Sequence, residues 1–158
     1  MLRPLIRSAA IALAFAGMVR AAEAGLRRYD RVEIAPTKTS IYVGTVSMTT
    51  PAFTRTGDVY ESGYAAKVFP WFFESESGRL RVEISDEGLR RLERGERVEF
   101  SGRAVSSTGA ERRVEGHATP EAPGAPQGKI KVRVFVSKRI ELIFNTTYRF
   151  PDASASAK

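Results

Sequence analysis

The chain contains no cysteine and a single histidine, His117. Without thiols it can form no disulfide staples and none of the usual thiolate-based zinc, haem or iron–sulfur sites. Stability has to come from apolar burial and a cooperative sheet. A serine–histidine–carboxylate device would have to use His117, and no Gly-x-Ser-x-Gly elbow is present. His117 shares its strand phase with Glu115 and Arg113, which places it on the solvent face of a hairpin. Carboxylate-only catalysis needs two acids across a cleft. Glu83, Glu99 and Glu115 instead fall on polar strand faces near arginines, where cross-strand ion pairs explain them. The expectation is a protein that is not an enzyme, with no catalytic residue, metal site or cofactor.

Long apolar runs are equally scarce. One occurs, Ala9 to Val19, and it is shorter than the roughly 20 residues of a bilayer-spanning helix. Arg3 and Arg7 precede it and the small-x-small site Ala22-Glu23-Ala24 follows. That order is the pattern of a secretory signal peptide, cut after Ala24 or, as second choice, after Ala21. No twin arginine precedes the run and no cysteine follows it, so general export without lipid attachment is expected. The expected organisation is a leader over 1–24, one β domain over 25–150 and a disordered tail over 151–158. The expected location is the periplasm or the exterior, with no transmembrane helix in the mature form. Loss of the leader removes three arginines and one glutamate, taking the net charge from +7 to +5. Such a charge suits a solvated surface, and also an anionic partner such as an envelope polymer or lipid headgroups.

What the chain does have is β pattern. From Lys129 to Phe150 the even positions are apolar in nine of eleven cases, the signature of a strand with one face in a core. No glycine marks a turn at Ser137-Lys138-Arg139, so one long bent strand, or two collinear ones, is expected over Ile130–Phe150. A three-residue hairpin at 137–139 would keep the same phase. Upstream, Tyr29, Val32 and Ile34 suggest a short edge strand ended by Pro36. Ile41 to Thr50 is β-branched, with Gly44 as a candidate bulge. Val59 to Phe69 follows, then Leu80, Val82 and Ile84 alternating with charged neighbours. Ser85 is a natural N-cap before Asp86 and Glu87, Leu89 and Leu92 form a narrow stripe, and Gly95 closes the helix. Strands resume over Arg97–Val105 and Arg112–Thr119, and the Pro/Gly-rich stretch 119–128 is a loop.

The fold class expected is all-β with one short helix around 86–94 capping one end: an antiparallel small barrel, or a curled sandwich, of six to seven strands. Its element order resembles that of the OB-fold, apart from an extra carboxy-terminal strand, and at a coarser level it is similar to a lipocalin-like barrel.

Two stretches are candidate binding surfaces. Val68 to Phe73 holds the only tryptophan and puts aromatics on both strand faces, so Phe69, Trp71, Phe72 and Phe73 form either a core plug or an apolar surface for lipid or protein. Lys129, Lys131 and Arg133, with Phe135 beyond, make a basic strand face. In OB-like barrels such a face binds single-stranded nucleic acid. Export argues against a nucleic acid and makes an acidic polysaccharide or lipid headgroup the more sensible anion; a solvated face that discourages edge pairing is the best single explanation. Asn145-Thr146-Thr147 matches the N-glycosylation pattern. The expected function is an exported, non-enzymatic envelope module with a binding or structural role. The alternative is a carrier barrel for an apolar or anionic small molecule with the Phe69–Phe73 aromatics at its mouth, and a small outer-membrane barrel ranks third.

Overall fold

The computed structural model describes residues 25–42, 44–71 and 75–155; the expected leader and the last three residues lie outside these. Among the described residues the chain makes β1 (Arg31–Ile34), β2 (Thr37–Ile41), β3 (Gly44–Thr49), β4 (Phe53–Thr56), β5 (Val59–Phe69) and β6 (Glu76–Glu83). Helix α1 (Asp86–Glu93) comes next. Then follow β7 (Val98–Ser106), β8 (Glu111–Pro120), β9 (Gln127–Phe135), β10 (Glu141–Arg149) and a short helix α2 (Pro151–Ala155). All pairings are antiparallel, and β1 meets both β4 and β10, which closes the sheet on itself. Because β1–β2 and β3–β4 are each two halves of one interrupted stave, the result is a closed barrel of eight staves joined in chain order.

The register fixes the tilt. Starting at Arg31, the partners run Thr54, Glu61, Arg81, Arg103, Arg113, Phe135 and Glu141. The circuit returns near the far end of β2, a displacement of about ten residues, which requires strands inclined by roughly 35–45° to the axis. Every residue on that circuit faces outward, and their neighbours Val32, Phe53, Tyr60, Val82 and Val114 face in and are buried.

Several sequence expectations need correction. There are eight staves rather than six or seven. The first discrepancy is at Pro36, which interrupts a strand instead of ending it. Burial passes from Val32 to Thr37 there, a change of phase that marks a bulge, where a missing proline N–H is tolerated. The matching irregularity on the neighbouring stave is at Thr50–Ala52, not at Gly44. The second discrepancy is the Ile130–Phe150 run, which is a hairpin. Ser137 does the work of the missing glycine: its hydroxyl accepts from the backbone N–H of Arg139 and of Ile140, 3.2 and 3.1 Å away. Lastly, Pro151–Ala155, expected to be disordered, is helical, and Ala153 packs against the core.

One end of the barrel is plugged. Ser85 caps α1 by accepting from the Gly88 N–H at 3.2 Å, and Asp86 in the first turn takes a 2.7 Å hydrogen bond from Arg55 on β4. Arg55 also donates to the Ile84 carbonyl, so the helix is latched across the opening. Leu89 and Leu92 then point inward and are buried, as their spacing predicts. Tyr29, Tyr148 and Phe150 stack edge-on beneath them, with centroids 4.9 and 5.5 Å apart. Tyr60 donates to the Tyr29 carbonyl at 2.6 Å.

Two outcomes follow for stability. Leu89→Ala removes a fully buried side chain from the plug and should cost about 2–5 kcal/mol in denaturant titrations. Burial pushes the Tyr148 hydroxyl up to about 12 and raises Tyr60 further. An unfolded tyrosine ionises near 10, so the folded state holds these protons more tightly. The stability they contribute is complete below about pH 10 and is lost as the pH climbs toward about 12. Thermal melts over that range should show a falling Tm, and Tyr60→Phe should flatten the fall while costing about 1–2 kcal/mol at neutral pH.

Candidate functional site: the barrel lumen and its open end

The inward faces of the staves are uneven in size. Tyr64 lies opposite Gly78, Phe100 opposite Gly116 and Tyr148 opposite Gly128. A Cβ on any of those glycines would come within 3 Å of the ring or hydroxyl it faces. Large rings therefore lie across bare backbone, and small residues such as Ala66 and Ala104 leave the middle of the barrel unfilled. Two apolar hollows result. One of about 70 Å³ lies near the plug, between Tyr60, Leu92, Phe100 and Ile130. The other, about 450 Å³, extends to the opposite end between Met48, Val68, Val134, Leu142 and Phe144. Met48, Leu80, Val114 and Val132 line both, so they are two parts of one lumen narrowed at that level.

The larger hollow is open. Tyr42, Val136 and Ile140, from two of the hairpin turns at that end, line it and are exposed to solvent. Its walls carry one polar cluster. Arg112, at the start of β8, is ion-paired with Glu76, at the start of β6, and the Tyr64 hydroxyl donates to the same Glu76 oxygen. Both charged side chains are part-buried, and Tyr64 is buried. Burial, followed by the hydrogen bond to Glu76, pushes the Tyr64 hydroxyl up to about 12, so it stays a donor throughout the physiological range. The pair spans β6 and β8 over the intervening β7, whose inward residues there are Ala104, opposite Arg112, and Ser106, opposite Gly78.

A larger depression of about 770 Å³ lies outside, between α1 and the β7–β8 wall. Arg91, Arg97, Glu99, Glu115 and Arg133 line it, charged side chains that water already solvates. His117 sits there with Nδ1 3.1 Å from an Arg97 nitrogen, and burial together with the Arg97 charge lowers its pKa. Glu99 and Glu115 pair with the arginines two residues before them, Arg97 and Arg113, not across the sheet as the sequence suggested. The lumen has an apolar lining and this groove a charged, solvated one.

The two sequence candidates fall in different places. Phe69 ends β5 on the outer wall, 60% exposed, and Trp71 follows at 45%. Both sit at the open end, because Phe69 pairs with Thr45 beside the β2–β3 turn. Phe72 and Phe73 lie outside the described residues. Lys129, Lys131 and Arg133 run along the outer face of β9, with Lys129 farthest from that end: Lys131 is opposite His117, and Arg133 is bound to Glu141 and stacked over Phe135. The structure does not bring the aromatic and basic sets together. Sequence reasoning missed Tyr64, Glu76 and Arg112. The signal was available: carrying the Leu80–Val82 phase back past Gly78 puts Glu76 inside, and the phase of Val114 puts Arg112 inside. No protein-family model matches the chain, and no curated protein or solved structure matches it either, so the chemistry of this site has to be argued from its geometry.

Proposed function

We propose that this chain is an exported, non-enzymatic carrier that holds one small molecule with an apolar body and an uncharged polar head in the barrel lumen. The observation that carries the reading is the open apolar hollow of about 450 Å³ with a single ion pair set into its wall. Ligand sites in proteins typically span about 300–1,000 Å³, are mostly apolar, and hold a few polar groups that orient the ligand. The sequence supports export through the leader-like segment 1–24. The outer wall opposes a bilayer-spanning role: Arg31, Glu61, Arg81, Arg103 and Arg113 face outward at successive levels between the plugged end and the mouth, across the zone where a membrane barrel carries an apolar band.

The head-group preference follows from charge. Glu76 and Arg112 neutralise each other, and Tyr64 spends its proton on Glu76. What remains is unused guanidinium N–H next to a second carboxylate oxygen, a donor beside an acceptor. A hydroxyl, carbonyl or amide satisfies both. A carboxylate or sulfonate would have to share Arg112 with Glu76, placing two like charges in a poorly solvated space.

N-phenyl-1-naphthylamine and 1-anilinonaphthalene-8-sulfonate share a body and differ by one sulfonate, so their fluorescence titrations separate these cases. The neutral probe should bind one per chain, and the sulfonate at least about tenfold more weakly, a difference of ~1.4 kcal/mol. Ala66→Trp, which fills the lumen beside Glu76, should abolish uptake of the neutral probe while leaving the melting curve in place. Glu76→Gln frees Arg112 and should raise affinity for the sulfonate about tenfold with little change for the neutral probe. A wild-type barrel that takes up neither probe, or an Ala66→Trp protein that binds like wild type, rules out the carrier.

A further inference from the structure

Exposed large apolar side chains are not spread over this molecule. Among the described residues they are Tyr42, Phe69, Trp71, Val136, Ile140 and Ile143, and all belong to the turns and stave ends around the open mouth. Tyr42 is wholly exposed and Ile140 is 53% exposed. Among the described residues the carboxylates at the stave ends here, Glu76, Glu111 and Glu141, are each taken up by an arginine, and the charge left unmatched is positive. Lys138 and Arg139 form the tip of the β9–β10 turn, and Lys38 and Lys67 stand on the outer wall just below the rim. None of these four joins an ion pair among the described residues, and the described residues of the turns at this end include no carboxylate. The plugged end is different in kind: Arg91 of α1 and Arg94 at its C-cap are matched by Glu96 and Glu87, and Arg28 by Glu93.

An apolar rim containing tryptophan and tyrosine, interleaved with unmatched lysine and arginine, fits the boundary between lipid headgroups and acyl chains. Aromatic rings and aliphatic tips enter the interface, and the cations meet anionic headgroups. We infer that the mouth of the barrel docks on an anionic bilayer surface, so that a ligand passes between membrane and lumen without crossing water. The inference deepens the carrier reading by naming where the ligand is exchanged. The rim sits directly on the opening of the hollow, since Tyr42 and Ile140 belong to both. A bilayer fits better than a second copy of the chain. Two mouths brought face to face would set Lys138 and Arg139 against their own counterparts, whereas a headgroup layer neutralises them.

Trp71 is the only tryptophan, so its emission reports the mouth directly and is blind to the leader segment. With vesicles of phosphatidylcholine containing about 30 mol % phosphatidylglycerol, that emission should shift to the blue and be quenched by brominated acyl chains. Pure phosphatidylcholine should bind at least about tenfold more weakly, and the Lys138→Glu/Arg139→Glu double variant should lose a similar factor on the anionic vesicles. Ala66→Trp places a second indole inside the lumen, so its docking is read by vesicle co-sedimentation, which should stay at wild-type level. Absence of quenching, equal sedimentation of the double variant, or dimerisation that buries Trp71 without vesicles overturns the docking. If the neutral probe still fills the lumen in any of these cases, the carrier stands and only its exchange site is lost. If vesicles bind and the probe does not, the reverse holds.

Discussion

A barrel without disulfides depends on the seam where its first stave meets its last. Here that seam is thin. Backbone pairing holds at Glu33 with Arg149 and at Ile34 with Tyr148, and the Ala35 N–H reaches the Thr147 carbonyl at 3.0 Å. Above Pro36 the bulge disturbs the ladder and side chains take over. Thr37 donates to the Asn145 carbonyl at 3.2 Å, and Thr146 donates to the Ala35 carbonyl at 2.9 Å. Outside, Arg149 and Glu33 clamp the same two staves at 2.6 Å, and the arginine holds that carboxyl below its usual range. Elsewhere the neighbouring staves share long ladders, such as the nine register pairs of β9 with β10. Closure therefore rests on a short stretch beside the plug, where Tyr29, Tyr148 and Phe150 pack against one another. The plug and the seam support each other, and the mouth is left as the less constrained end.

That polarity explains the distribution of side-chain size. Near the plug, inward positions hold aromatic rings and leucines and leave about 70 Å³. Toward the mouth, alanine and valine replace them and the hollow widens to about 450 Å³. Native interiors are close-packed, and unfilled apolar volume costs stability in proportion to its size. A sequence tuned only for stability would put larger residues at Ala66 and Ala104.

The alternation of the strands, the capped helix and its inward leucines were legible in the sequence because each depends on neighbours a few residues apart. The stave count was not. Ser137 makes its turn through a hydroxyl, which leaves no glycine or proline to see, and the even-phase pattern runs through the hairpin undisturbed. The bulges at Ala35-Pro36 and Thr50-Pro51 reverse the phase among small residues and prolines, whose side chains do not declare a face. Phe69 and Trp71 were visible as unusual aromatics, but their position at the mouth came only with the register of β5 on β3. The inward Glu76 and Arg112 were harder still. Each lies at a strand end, where a charged residue reads as the start of a turn, and they come together only because β6 and β8 flank the same stave.

That ion pair is the least economical feature of the molecule from the standpoint of folding. Desolvating a carboxylate and a guanidinium can cost more than their attraction returns, and apolar residues of similar volume often do as well or better. The lining around Glu76 and Arg112 is mostly apolar, with Val68, Leu80, Val134 and Leu142. The exposed ring of Tyr42, Phe69, Trp71 and Ile140 is a second departure in the same region, because apolar surface left in water also works against solubility. Two features unfavourable for a free-standing domain meet at one opening, and the unfilled volume lies between them. In the proposed carrier each would become favourable, with an apolar body in the lumen, a polar head satisfying the pair and an interface covering the rim.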